Sequence, residues 1–120
     1  MIGSQSSTRV DVAEIGRASY ALVVSGQMDD ASAIEIRDAL YPLTAHKGAR
    51  VLVDLATFGS VDVDLLGVLA GAAHLLLSHG GELVVVARDP RVRRELVTSG
   101  LGLAGRVEPT LARGMAPRAD

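Results

Sequence analysis

Three short runs are built almost wholly from aliphatic residues: Tyr20–Val24 (YALVV), Val51–Leu55 (VLVDL) and Leu83–Ala87 (LVVVA). Near-continuous apolar runs of this length are the pattern of strands covered on both faces, as in sheets wrapped by helices. The stretch Thr8 to Ile15 reads differently, with Val10 and Val12 set between Arg9 and Asp11. A period of two predicts a strand with one wet face, at the edge of the sheet.

Helices fit between these runs. After Gly26, the pair Asp29–Asp30 can cap a helix whose inward stripe is Ile36, Leu40 and Leu43. Pro42 removes an amide donor and crowds the preceding turn, so that helix is expected to kink or stop there. A second helix is expected over about Asp64 to Ser78. A third opens with Asp89 as cap and Pro90 at its first position, turns Val92, Leu96 and Val97 inward, and closes at Gly100. Gly80–Gly81 turns the chain into the strand near Glu82, and a short last strand is expected near Arg106–Val107. Part of the stretch after Pro109 forms one helical turn in this reading. Alternating strand and helix after a first hairpin predicts an α/β fold: one mixed sheet of four to five strands with three to four helices.

At 120 residues the chain has room for one domain, and 48% hydrophobic content supplies its core. Aromatics make up only 2%, so Val, Leu, Ile and Ala must fill it. The absence of cysteine excludes a disulfide framework, a thiolate zinc site and a cysteine nucleophile. A net charge of −2, with one tight basic cluster at Arg91, Arg93 and Arg94, argues against nucleic acid as a partner. The start lacks a signal-peptide pattern, and the longest apolar stretch, Val68–Leu77, is too short for a bilayer. A cytoplasmic protein that does not engage membranes is expected.

Catalytic signatures are absent: no G-x-S-x-G elbow, phosphate-binding loop or H-E-x-x-H helix occurs. His74 and His79 are five residues apart, the wrong spacing for two ligands on one helix face, and His46 falls in a loop. The sharpest local feature is Val61-Asp62-Val63-Asp64. A D-x-D after a strand can carry magnesium-dependent phosphoryl chemistry, but it wants its first Asp at the strand's carboxyl end. Here Ala56 to Ser60 intervene, and the only lysine is Lys47. Asp64 as the cap of the second helix is the simpler reading. That helix is apolar nearly all round, leaving a narrow stripe of Gly67, Gly71, His74 and Ser78. Such a helix is buried or shows part of itself to a partner. Each glycine costs about 1 kcal/mol against alanine, which points to close approach along the stripe.

From these motifs the chain resembles the STAS domain, specifically the stand-alone bacterial anti-sigma factor antagonists. The stretch VLVDLATFGSVDVDLLGVLAG, Val51 to Gly71, is similar to the family's V-D-L strand, linker and D-S-[ST]-G-L-G-V-L helix head. GGELVVVARDPRVRRELVTSGL and Ser25-Gly26-Gln27-Met28-Asp29 look like its downstream pattern and its G-E-L-D turn. The resemblance implies a STAS domain over residues 9–111, between flexible termini at 1–8 and 112–120. It implies an α/β module that binds an anti-sigma factor of the serine-kinase type, regulates transcription by partner switching, and has no catalytic residue, cofactor or metal. Its partner surface would be Asp29, Asp62, Val63, Asp64, Leu65 and Leu66, and a homodimer is compatible with it. In the family the second hydroxyl of D-S-[ST]-G receives a phosphate that ejects the antagonist. Here Asp64 stands at that position, Val63 replaces the first Ser and Leu65 the Gly, so a serine kinase has no acceptor there; the nearest hydroxyl, Ser60, lies in the linker. A STAS scaffold or kinase-regulating subunit of a larger signalling complex is the alternative; an enzyme built on Asp62 and Asp64 is a more distant one.

Overall fold

A computed structural model describes residues 7–117. Its strands are β1 (Thr8–Gly16), β2 (Ser19–Gly26), β3 (Arg50–Asp54), β4 (Glu82–Val86) and β5 (Arg106–Glu108). They form one sheet in sequence order, with β1 antiparallel to β2 and every later neighbour parallel. The helices are α1 (Ser32–Leu40), α2 (Val63–Ser78), α3 (Pro90–Leu96), the single turn α4 (Gly102–Ala104), and α5 (Leu111–Met115). The mixed α/β sheet expected from the sequence is present.

Alternation along the strands decides what each face meets. Leu22, Val24, Val51, Val53, Leu83, Val85 and Ala87 join Ile36, Leu40, Leu65, Leu69, Leu76, Val92 and Leu96 in the main core, under the helices. The intervening residues Leu52, Val84 and Val86 point the other way and are also buried. Their cover is α5. Gly114 permits it, because a Cβ there would lie 2.8 Å from Val86 Cγ2 and 3.0 Å from Leu52 Cδ1. Arg50 and Arg106 hold this helix from its carboxyl end. Arg50 donates to the carbonyls of Gly114, Met115 and Ala116, and Arg106 to those of Arg113, Gly114 and Ala116. Cations at a helix carboxyl terminus meet unsatisfied carbonyls, which is the favourable arrangement. Glu82 balances them, 3.5 Å from Arg106 and 4.0 Å from Arg50, and Glu108 lies 3.0 Å from Arg106.

Several local expectations need correction. The helical turn after Pro109 is α5, so residues placed in the tail beyond Leu111 pack on the sheet; residues 1–6 and 118–120 of the predicted termini lie outside the described ones. β2 is covered unevenly, since Val23 stays 41% exposed beyond the reach of α5. β1 has more than one wet face, with Val12 and Ile15 both exposed beside half-buried Val10. Neither Asp29 nor Asp30 is the N-cap of α1, which is Ala31, with no side-chain bond of its own. Pro42 does end α1, and the chain tightens into a 3₁₀ stretch over Tyr41–Ala45. Val97 is exposed, because the chain widens into a π turn after α3 and swings it off the Val92–Leu96 stripe. Gly100 closes that turn at φ +99, a conformation that favours glycine.

Candidate functional site

In an open α/β sheet the loops at the carboxyl ends of the parallel strands are the natural binding end. The β3–α2 loop there is tightly built. Asp54 accepts the Ala56 N–H at 2.9 Å, the Phe58 N–H bonds the Leu55 carbonyl at 3.0 Å, and Phe58 and Val61 are buried. The loop thereby sets where α2 begins.

At that start Asp62, not Asp64, is the cap. Its Oδ1 accepts the Leu65 N–H at 2.8 Å, and its backbone carbonyl accepts from Leu66 at 3.0 Å. The sequence reading places the cap at Asp64, two residues too late. The extended backbone of Asp62 (φ −96, ψ 172) decides it, because only a non-helical residue can fold its side chain back onto the first turn. Asp64 then falls inside the first turn, exposed, and its charge still complements the helix dipole.

The remaining sequence candidates divide. Val63 is 78% exposed and Leu66 half-buried, whereas Leu65 is fully buried and cannot present its side chain. Position Leu65 is three residues beyond the cap, on the face that packs against the sheet. Asp29 is engaged within the fold: its carboxylate accepts the N–H of Ser7 at 2.8 Å and of Ala31 at 2.9 Å. Its own N–H donates to Ser32 Oγ at 2.8 Å, and Ser32 Oγ is bonded to Thr8 Oγ1. Asp29 thus ties the start of β1 to the start of α1.

A groove of about 290 Å³ runs between α1 and α2, lined by Asp30, Ala33, Ile34, Arg37, Asp64 and Val68. Its lining is mixed: Ala33, Ile34 and Val68 are apolar, Asp30 and Asp64 bring two carboxylates, and Arg37 is its basic group, itself bonded to Asp38 at 3.1 Å. Sequence reasoning missed Asp30, Ile34, Arg37 and Val68. The Asp29–Asp30 pair was visible, but nothing local says which carboxylate the fold engages.

Of the histidines, the His79 ring meets the Thr44 carbonyl at 2.7 Å, and the His46 ring lies 5.5 Å from that of Tyr20. Among the described residues no three His, Cys, Asp or Glu side chains are grouped to hold a metal ion, and no helix is long and apolar enough to cross a membrane.

Residues 12–107 match the family model described as Mlab, STAS domain. The chain belongs to the STAS-domain family. Solved structures agree. An anti-sigma factor antagonist from Mycobacterium paratuberculosis is 26% identical, with 91% of this chain and 92% of that one covered at a TM-score of 0.75. A serine-to-glutamate variant of RsbS from Moorella thermoacetica is 22% identical, over 89% and 92%, with a TM-score of 0.71. An anti-sigma factor antagonist (STAS) domain protein from Planctomyces limnophilus is 11% identical, over 87% and 92%, with a TM-score of 0.72. The last two speak for the STAS fold alone. No curated protein matches the sequence.

Proposed function

We propose that this STAS domain is an anti-sigma factor antagonist, acting in the cytoplasm by binding and without catalysis. The observation that carries the reading is the likeness to the Mycobacterium antagonist over nine-tenths of both chains. Its contact surface is the head of α2, with Asp62, Val63, Asp64 and Leu66, continued along the groove by Asp30 and Ile34. Asp29 supports that surface by fixing the loop that carries Asp30. The combination of apolar Val63 and Ile34 with the exposed carboxylates of Asp30 and Asp64 suits a partner that offers an apolar patch bordered by polar or basic groups.

The partner proposed is an anti-sigma factor of the serine-kinase type, and Asp64 occupies the place where such a kinase would find a hydroxyl. A carboxylate carries one negative charge; a phosphoserine carries about −1.5 to −2 and three acceptor oxygens. Asp64 therefore resembles the phosphorylated, released form in sign, at lower strength. Titration of wild type and Asp64→Ser against an anti-sigma factor encoded in the same genome, with and without ATP, tests this. Without ATP, Asp64→Ser should bind more tightly; with ATP, that advantage should fade as the serine is phosphorylated. Tighter binding by the wild type would overturn the released-state reading and point to a permanent complex with a basic residue opposite Asp64. No binding by either protein would count against the antagonist reading itself.

A further inference from the structure

The two edges of the sheet are unlike. β5 closes one with three residues, while β1 closes the other with nine, most of them exposed. A long edge strand offers backbone donors and acceptors to another chain. Along β1, Thr8, Val10 and Val12 share one face, and Arg9 and Asp11 share the other. Val12 is 48% exposed, and the Arg9 and Asp11 side chains, 3.0 Å apart, are 77% and 57% exposed.

We propose that β1 pairs antiparallel with β1 of a second copy, about a two-fold axis at Val10. In that register Arg9 faces the partner subunit's Asp11, Asp11 faces the partner subunit's Arg9, and Val10 meets its own counterpart. Val12 faces the partner subunit's Thr8, so the opposite face is an unbroken row of β-branched side chains. Opposite charges directly across a strand pair stabilise it, and like charges destabilise it. The neighbouring registers fail on those grounds. An axis at Arg9 sets two arginines face to face, and an axis at Asp11 sets two aspartates face to face. An axis at Val12 sets Val10 against Glu14 and Arg9 against Ile15. Only the Val10 axis matches both faces. The contact is small, so the dimer is weak and concentration-dependent. It lies on the sheet edge and does not depend on the anti-sigma reading.

Sedimentation of the full chain from micromolar to millimolar concentration tests it, on wild type, Arg9→Asp, Asp11→Arg and the double variant. Wild type should dimerise. Each single substitution, which places like charges across both symmetry-related pairs, should weaken association at least about tenfold. The double variant should restore it. Both side chains are exposed, and circular dichroism checks that the fold is kept. As an independent measurement, Val10→Cys, in a chain without cysteine, should give a covalent dimer on oxidation, and Glu14→Cys should not. A monomer at every concentration, single variants that associate like wild type, a double variant that stays monomeric, or failure of Val10→Cys to cross-link would each overturn the proposal.

Discussion

Two aspartates two residues apart, Asp62 and Asp64, do different work, and stability should tell them apart. Asp62→Ala removes the acceptor of the Leu65 N–H and should cost about 1 kcal/mol. Asp64→Ala loses only a favourable charge near the dipole and should cost about 0.5 kcal/mol or less. Urea denaturation of the two variants measures the difference; a larger loss for Asp64→Ala would mean the cap is misassigned. Asp29 and Asp30 form a second such pair. Asp29→Lys should destabilise the domain, because two backbone N–H groups lose their acceptor, so Asp30→Lys is the substitution that probes the surface. At Asp89 the residue has a pH signature. The Arg91 backbone N–H holds its carboxyl below the ordinary 3.8, against a smaller opposing effect of desolvation. A depressed folded-state value means stabilisation that is complete above the unfolded value and is lost as pH falls through the folded one. Asp89→Asn keeps a capping oxygen but does not titrate. Its urea midpoint should therefore drop less than that of wild type between about pH 6 and pH 3.

At the scale of the element, the glycine stripe on α2 was read from sequence as one feature, and the fold divides it. A Cβ on Gly71 would fall 2.4 Å from the Tyr41 hydroxyl, which donates to the Val68 carbonyl at 3.3 Å. Around Gly67 nothing lies within 4 Å of that position. Gly67→Ala should accordingly stabilise the domain by roughly 0.5–1 kcal/mol, the intrinsic helix difference. Gly71→Ala should gain nothing or lose, since Tyr41 must move. Thermal denaturation decides between the two. If Gly67→Ala also weakens binding to the anti-sigma factor, the open strip beside the α1–α2 groove is part of the contact. The spacing of the stripe was legible in the chain; its division depends on Tyr41, which a proline-terminated helix delivers from about thirty residues away.

For the whole molecule, a cover on both faces of the sheet was expected, and what the local pattern did not assign is which segment supplies the second. Deleting residues 111–120 should uncover Leu52, Val84 and Val86 and release Arg50 and Arg106 from the α5 carbonyls. With each apolar side chain contributing about 1.5–3 kcal/mol when fully buried, even partial exposure should lower stability by about 3 kcal/mol. Increased binding of a hydrophobic dye should accompany it. An unchanged melting temperature would show that α5 contributes no cover. The periodicity of the chain by itself determined the order of strands and helices, the mixed sheet, the end of α1 at Pro42 and the cap of α3 at Asp89. These are properties of near neighbours: alternation, apolar runs and capping residues act within a few positions along the chain. Only the tertiary structure decided which aspartate of the Asp29–Asp30 pair is tied to β1, which flank of α2 stays open, and that the last short helix belongs to the core. Each of those depends on a group delivered from far along the chain, the Ser7 N–H to Asp29, Tyr41 to Gly71 and Gly114 to Leu52 and Val86, and no local pattern encodes where such a group will arrive.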